Sequence, residues 1–543
     1  MAPWSVITLP CRNCAAVRHQ LFANEADAAK AALLAGVDME TPDPMAFPKL
    51  KALVESGQLQ VQAVDQAVRA VLMLKFRLGL FEHPYVDASK ADAALGGEQG
   101  RRLALDLAEK SIVLLKNDGV LPLDASRLKK LALIGPHADE ALLGGYSSIP
   151  RKTVNLVDAL QQQLQGKVAV TFARGSRITD NNFLTPKAQA TADSPIVSST
   201  DTSSTNALAE QAAAAMVARS EKAGTYSMLR WNHDDTVLAS ATDNARLRAE
   251  AVALAKNSDA IVLVLGENEG LAREAWADKH LGDRTTLELS ADQQLLAKEV
   301  LAVAGNKPLV LVLQNGRPLA LGGLAEQMPA IVEAWYLGQE GGTALANMLL
   351  GKVNPSGKLP LTFPRSAGHI PLFYNHKASS SRGYLHDNIS PLYAFGHGLS
   401  YTSFSYSELT LNKTQAKAGE QVEVSLKLKN TGSRAGTEVV QLYLQDPVAS
   451  LTRPVQQLAG FARVSLLPGE QKQVRFSLPV TMAAFLGPQQ HGKMPWLLEP
   501  GEIRLQLGSS SADIRLQGSF AVVGAPVDVS ANRALQSTVT ILE

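Results

Sequence analysis

The residues best suited to acid–base chemistry lie in one carboxylate-rich segment, Gly266 to Asp278. The segment directly follows Ile261 to Leu265, an apolar run that predicts a buried strand. Layered α/β domains bind ligands beyond the carboxyl ends of their strands, so these carboxylates are well placed to meet a substrate. An acid of this segment is a candidate proton donor, because a cleft that excludes water raises the pKa of an acid. A solvated acidic loop is the alternative.

The elements that must position this segment are strands alternating with helices between about residues 97 and 365. Short apolar runs predict five buried strands at 131–134, 168–170, 260–265, 308–313 and 330–334. Helical segments are predicted at 156–164, 247–255 and 291–304, the last with Ser290 as N-cap and Gln293 three residues on. This alternation predicts a layered α/β domain whose parallel sheet is covered on both faces.

From about residue 405 the apolar residues recur at every second position, which predicts a second domain built from strands. Apolar residues alternate with polar ones at 422–428, 474–478 and 503–507, and Gly-containing turns precede or follow each run. Short alternating strands of this kind are typical of a β-sandwich of fibronectin type III type, expected over 405–523. The tail, 524–543, is expected to be loosely ordered.

Two further segments complete the predicted organisation. Residues 20–82 have helical patterns, with an apolar face on Val61 to Gly79, but they supply too few elements for a domain and need something to pack against. Residues 186–206 are rich in Ser, Thr, Asp and Ala, which predicts a surface insertion within about 180–240.

The composition and net charge of the chain argue against several classes of function. The chain has 543 residues, of which 46% are hydrophobic and 19% charged, enough for several globular domains. A net charge of +1 gives no reason to expect nucleic acid or an anionic membrane as partner. Cys11 and Cys14 form the one C-x-x-C pair, and a structural zinc needs about four ligands, so neither a metal nor a cofactor is predicted. The first ten residues have no signal-peptide pattern.

Seven sequence motifs occur in a fixed order along the predicted α/β domain. They occupy 111–123, 134–139, 143–147, 315–319, 335–342, 351–363 and 391–401. Together they resemble the C-terminal domain of glycoside hydrolase family 3, the β-glucosidase and β-xylosidase family, and the resemblance covers about residues 15–520. It implies a multidomain protein: a (β/α)8 barrel, the α/β sandwich at 97–400, and the fibronectin type III-like β-sandwich at 405–523.

The resemblance also implies roles for individual residues. The family consists of retaining hydrolases, and the acid/base falls on Glu274, with Glu267 as the runner-up whose place beside the strand suits a positioning role. Asp283 and Arg284 are candidates for orienting the loop, with an exposed turn as the alternative. Trp276 is a candidate for stacking on a sugar, or for packing within the loop. The implied substrates are β-linked glucosides or oligosaccharides, with glucose and xylose both open.

The N-terminal residues depart from the family pattern. The family's aspartate nucleophile falls on Asn13, and an asparagine cannot attack as a carboxylate. Residues 1–14 are interpreted as a non-family start, and 15–96 as the remnant of the barrel's C-terminal end plus a linker. Three hypotheses follow: an incomplete β-glucosidase that is inactive alone, half of a split enzyme whose barrel is on a separate chain, or a non-catalytic carbohydrate-binding module. Export to the periplasm or medium is expected for an intact parent.

Overall fold

The computed structural model describes residues 5–8, 20–41, 45–144, 147, 152–179, 238–272, 284–380, 382–489 and 492–543. The chain forms two compact units, residues 1–95 and residues 96–543. The predicted insertion at about 180–240 lies almost wholly outside the described residues. Within the described part of the chain, no helix is both long and apolar enough to cross a membrane.

The first unit is a small assembly of helices around one parallel strand pair. Strand β1 (Ser5–Thr8) pairs in parallel with β2 (Val37–Thr41). The helices are α1 (Glu25–Leu34), α2 (Leu50–Glu55), α3 (Val61–Arg77) and α4 (Ala91–Ala94), with 3-10 turns at Phe47–Lys49 and Ala88–Lys90. Alanines and leucines of α1 and α2 form its core. The predicted apolar face of α3 contributes little to that core, because Ala67 is buried whereas Val68 and Leu72 are exposed.

The second unit begins with a six-stranded sheet. Its strands are β3 (Val113–Asn117), β4 (Lys130–Ile134), β5 (Ala169–Ala173), β6 (Ala260–Gly266), β7 (Leu309–Gln314) and β8 (Ala330–Glu333). They lie in the order β3-β8-β7-β6-β4-β5, and all neighbours are parallel except β3, which is antiparallel to β8. The helices of this region are α5 (Glu98–Ser111), α6 (Leu156–Gln163), α7 (Ala241–Lys256), α8 (Glu269–Ala272), α9 (Ala291–Ala304), α10 (Leu324–Gln327) and α11 (Gly341–Leu349).

Both faces of this sheet are covered, as the continuous apolar runs predict. Along β6, Val262 and Val264 pack with α5, α6 and α11, whereas Ile261, Leu263 and Leu265 pack with α7 and α9. The predicted layered α/β domain is therefore confirmed. The antiparallel edge strand β3 was not predicted, since its apolar run is short and ends in the polar pair Lys116–Asn117.

The predicted capping box at the start of α9 is wrong in its hydrogen bonds. Ser290 occupies the N-cap position, but its side chain caps no backbone amide. Gln293 is fully buried, and its amide accepts a hydrogen bond from the Gly266 N–H at 2.9 Å and donates one to the Gly266 carbonyl at 2.8 Å. The physical reason is that the end of β6 leaves buried backbone groups that must be paired, and Gln293 pairs them.

The C-terminal part of the second unit is a β-sandwich. The strands are β9 (Phe404–Leu411), β10 (Gln415–Ala416), β11 (Gln421–Asn430), β12 (Gly436–Gln445), β13 (Gln457–Leu466), β14 (Gln471–Pro479), β15 (Phe485–Leu486), β16 (Trp496–Leu498), β17 (Gly501–Ser510), β18 (Asp513–Val522), β19 (Val527–Asp528) and β20 (Thr538–Leu542). One sheet has the order β10-β18-β17-β12-β13 and the other β20-β14-β11-β9, with a small third sheet β15-β16-β19. The predicted alternating residues at 422–428, 474–478 and 503–507 form its core, so the sandwich is confirmed.

The expectation of a loosely ordered tail is wrong. Strand β20 pairs in antiparallel register with β14, with Val474 opposite Ile541 and Phe476 opposite Val539. Strand β19 pairs with β16. The reason is that Thr538 to Leu542 is a β-branched, alternating run, which pairs readily with a free sheet edge.

Candidate active site

Glu267 is the centre of the polar cluster at the carboxyl edge of the sheet. Its side chain has 0% exposure. Arg284 donates from Nη1 to Glu267 Oε1 at 2.9 Å, while Arg317 donates from Nε to Oε2 at 2.9 Å and from Nη2 to Oε1 at 3.1 Å. A buried carboxylate is stable when charged donors satisfy its oxygens, and two guanidinium groups do so here.

The two arginines come from different parts of the chain. Arg317 follows β7, the neighbour of β6, and Arg284 comes after the carboxylate-rich segment, 17 positions beyond Glu267. The Glu267–Arg284 ion pair therefore joins two residues that stand on either side of residues 268–283 in the sequence. Tyr336 adds a further contact, because its hydroxyl donates to the Glu267 carbonyl at 3.0 Å.

The backbone at the end of β6 requires glycine. Gly266 has φ +154°, and a Cβ built on it would lie 1.8 Å from the Gln314 carbonyl oxygen of β7. Glycine thus allows β6 and β7 to approach closely at the point where the chain turns toward Glu267. Gln293 holds the same residue from the helix side. Both contacts fix the backbone that presents the Glu267 carboxylate.

A second buried carboxyl group lies at the end of another strand of the same edge. Glu333 ends β8, is fully buried, and accepts hydrogen bonds from the Trp335 N–H at 2.9 Å and from Asn315 Nδ2 at 3.1 Å. Burial raises the pKa of Glu333 to about 8, although both hydrogen bonds act in the opposite direction. Asn315 Nδ2 also donates to the Arg317 carbonyl at 2.8 Å, so Glu333 supports the turn that carries Arg317.

A third polar group follows β4. Arg174 binds Asp139 at 2.5 Å and Glu140 at 3.0 Å, and His137 Nδ1 lies 3.7 Å from Glu140 Oε2. Burial acts to raise the pKa of Glu140, but His137 and Arg174 outweigh it and leave that pKa below its ordinary value. Burial raises the pKa of Asp139. Among the described residues, no group of three His, Cys, Asp or Glu side chains could hold a metal ion.

The structure places only some of the predicted site residues. Glu267 and Arg284 are in direct contact, which favours an orienting role for Arg284 over an exposed turn. Glu274, Trp276, Asp283 and Asn13 lie outside the described residues, so their roles stay predictions.

Three contributors to the site were not predicted as such. Arg317 belongs to the motif at 315–319 that follows β7, but no role was predicted for it. Glu333 stood in a predicted strand, and Gln293 was interpreted as part of a cap. Their positions in the sequence could have indicated a role for Arg317 and Glu333. Each stands at the carboxyl end of a parallel strand, Arg317 after β7, which lies next to β6, and Glu333 at the end of β8, which lies next to β7.

The fold and the site define a multidomain protein in which a layered α/β domain, with a buried carboxylate at the carboxyl edge of its sheet, precedes a β-sandwich. Comparison with known proteins identifies its family. Residues 112–401 match the model of the glycosyl hydrolase family 3 C-terminal domain, and residues 438–511 match the fibronectin type III-like domain. The chain therefore belongs to glycoside hydrolase family 3.

Relatives of known name agree with this assignment. The chain is 34% identical over 528 residues to a periplasmic β-glucosidase of Salmonella typhimurium, and 33% identical over 517 residues to a β-xylosidase of Formosa agariphila. These alignments cover 93% and 91% of this chain, but 62% and 61% of the relatives. The chain thus spans somewhat less than two thirds of the length of the relatives that it matches.

Solved structures give the same result. The β-glucosidase EmGH1 of Erythrobacter marinus superposes with a TM-score of 0.81 at 37% identity, covering 96% of this chain and 63% of that one. A β-glucosidase of Listeria innocua in complex with glucose superposes with a TM-score of 0.73 at 29% identity, again covering 96% and 63%. A mutant of the Listeria enzyme was solved with laminaribiose.

Proposed function

We propose that this chain supplies the acid/base half of a β-glucosidase-type hydrolase that cleaves β-linked glucosides with retention. In this reaction an acid protonates the leaving oxygen, a carboxylate attacks the sugar, and the first group then deprotonates water. Glu274 is the proposed acid/base. The wider substrate range includes β-linked oligosaccharides, since the Listeria β-glucosidases were solved with glucose and laminaribiose.

The observation that carries the proposal is the double ion pair of Glu267. Because Arg284 and Arg317 together donate three hydrogen bonds to this carboxylate, Glu267 is suited to holding the loop rather than to donating a proton. We infer that the Glu267–Arg284 pair holds the segment between these two residues, which contains Glu274. Catalysis needs such fixed positions, since a misplacement of about 1 Å costs on the order of 100-fold in rate.

The proposed reaction also needs a nucleophile, the carboxylate that attacks the sugar. Asn13 occupies the place of the family's aspartate, and residues 15–96 are proposed to correspond to the C-terminal end of the barrel. The proposal therefore assigns no attacking carboxylate to residues 1–96, and that group would come from the part of the family's barrel that they do not include. The non-catalytic carbohydrate-binding module is the second candidate, because the sandwich has a hydrophobic core of its own.

Complementation tests this proposal. The chain is assayed with 4-nitrophenyl β-D-glucoside alone, and then mixed with the part of the Salmonella β-glucosidase that its alignment leaves uncovered. We expect hydrolysis in the mixture, and a loss of about 100-fold or more in E274Q, the usual range for removal of a general acid. The matched variant E299Q, at a partly exposed position on α9 where Glu299 pairs with Arg248, is expected to keep the wild-type rate. Hydrolysis that is undiminished in E274Q, or none in the mixture, would contradict the proposal.

A further inference from the structure

A polar cleft of about 430 Å³ lies between the α/β part of the second unit and its β-sandwich. Its walls come from segments at 355–358, 397–404, 437–438 and 509–515. The described residues that line it include none of those that contact Glu267. Leu399 of the cleft pairs with Leu114 of β3, and strands β8 and β7 separate β3 from β6. The cleft therefore lies at the β3 side of the sheet, and its volume is in the range of about 300–1,000 Å³ that is typical of small-molecule sites.

Hydrogen bonds hold the two walls of the cleft together. Gln441, which is 3% exposed, donates from Nε2 to the Gly396 carbonyl at 3.1 Å and to the Ser509 carbonyl at 2.7 Å. Arg463 of β13 donates from Nη2 to Ser356 Oγ at 2.9 Å. Each of these side chains joins the sandwich to the α/β part. The cleft is thus preformed, and little conformational entropy is lost when a ligand enters it, which favours binding.

The charges in the cleft cancel in pairs. Lys358 Nζ lies 3.1 Å from Glu438 Oε1, and Arg515 Nη2 lies 2.8 Å from Asp513 Oδ2. Burial lowers the pKa of His397, which also lines the cleft, so its ring is neutral at pH 7. A phosphate would therefore meet cations that already have anionic partners. Since no group of three His, Cys, Asp or Glu side chains in the described part of the chain could hold a metal ion, the cleft favours an uncharged ligand.

The other polar groups of the cleft include many hydroxyls, and a hydroxyl both donates and accepts hydrogen bonds. They include those of Ser356, Ser400, Thr402, Ser403, Thr437 and Ser509. His397 Nε2 lies 2.8 Å from the Leu115 carbonyl oxygen and must donate to it, so Nδ1 of the neutral ring is an acceptor. Leu399, which is 38% exposed, adds apolar surface. The cleft thus offers donors, acceptors and an apolar contact within one cavity.

We propose that this cleft binds a neutral monosaccharide and does not turn it over. A sugar ring is uncharged, each of its hydroxyls both donates and accepts, and its C–H groups form an apolar surface that suits Leu399. The side chains of Lys358 and Glu438 are 13% and 7% exposed, so their hydrogen bonds to a ligand would form away from bulk water. The inference does not rest on the acid/base assignment, because the lining of the cleft contains no residue of the Glu267 cluster.

Calorimetry on the full chain tests this site, with D-glucose as the probe. T437W and S403W each add an indole at a position that lines the cleft, one on β12 and one just before β9. We expect each variant to weaken D-glucose binding by about fivefold or more, because the indole takes up the space of the sugar. T410W is the matched control, since Thr410 is exposed on β9 and does not line the cleft. It should bind D-glucose as the wild type does, and circular dichroism checks that all three variants are folded.

Three results would overturn the assignment of the cleft. The first is no binding of D-glucose, which would mean that the cleft holds water only. The second is binding that folded T437W and S403W leave unchanged, which would place the sugar elsewhere on the chain. The third is tighter binding of inorganic phosphate than of D-glucose, lost in T437W, which would make the cleft an anion site. None of these results alters the loss of hydrolysis expected in E274Q, so this proposal and the proposed function fail separately.

Discussion

At the scale of single residues, the arrangement of charge around Glu267 explains why its two arginines belong to the site. A carboxylate with no exposure would be costly to bury alone, and removal of one partner from a buried pair leaves a charge that is only partly compensated. The Glu267–Arg317 pair joins segments 50 positions apart in the chain. Its energetic role can be measured directly.

Replacement of Arg317 by methionine is expected to lower the free energy of unfolding by roughly 3 kcal/mol, because it removes two of the three donors to a buried carboxylate. Denaturant-induced unfolding followed by circular dichroism measures the change. The control is R504M, which breaks an exposed pair with Glu502 and should cost less than about 1 kcal/mol. Equal effects of the two substitutions would show that burial of Glu267 does not govern this interaction.

Glu333 predicts a pH dependence of stability. Its folded pKa of about 8 lies above the ordinary value of 4.5, so between those values the folded state holds a proton that the unfolded state has lost. The stabilisation is complete below about pH 4.5 and declines as the pH rises through 8, with a slope of about 1.4 kcal/mol per pH unit. In E333Q this part of the slope should disappear. Unfolding free energies at pH 5, 7 and 9 test this, and identical profiles for both proteins would refute the assignment.

At the scale of elements, the pairing of the parallel strands determines which side chains meet at the carboxyl edge of the sheet. The run 260–265 predicts β6 well, since six apolar residues in sequence suit a strand buried on both faces. The partners of Glu267 could not be predicted in the same way. They depend on which strand lies next to β6 and in what register, and a contact between Glu267 and Arg317 is set by that pairing rather than by local sequence.

Other differences between prediction and structure also have local causes. The edge strand β3 was not predicted, because its apolar run is short and its end is polar. The tail was expected to be loose, yet β20 extends a sheet edge that the sequence alone does not reveal. The raised pKa of Glu333 results from its complete burial, which is a property of the folded layers and not of the residue.

The close approach of β6 and β7 makes Gly266 a sensitive position. In G266A the new Cβ would lie 1.8 Å from the Gln314 carbonyl oxygen, so the strands must separate, and we expect a loss of about 3–5 kcal/mol in unfolding free energy. Gly166 is the control, because its φ is also positive, at +73°, but no atom lies within 4 Å of the place that a Cβ would take. G166A should cost about 1–2 kcal/mol from backbone strain alone. Equal losses would contradict the steric explanation.

At the scale of the whole molecule, the chain consists of two units with separate cores. The core of residues 1–95 uses only its own side chains, and the three core clusters of 96–543 contain no described residue before Leu105. We therefore expect a segment of residues 96–543 to fold cooperatively by itself. Its denaturation curve should coincide with the major transition of the full chain within about 1 kcal/mol. A non-cooperative curve would show that its cores depend on the first unit.

The central claim assigns the acid/base to Glu274 and a positioning role to Glu267. The most direct measurement is azide rescue in the mixture of this chain with the part of the Salmonella β-glucosidase that its alignment leaves uncovered. In a retaining reaction, azide attacks the glycosyl-enzyme without help from a general base, so E274A should regain activity with 2,4-dinitrophenyl β-D-glucoside and yield β-glucosyl azide. E267A should gain no activity from azide. Rescue of E267A with no rescue of E274A would contradict the account.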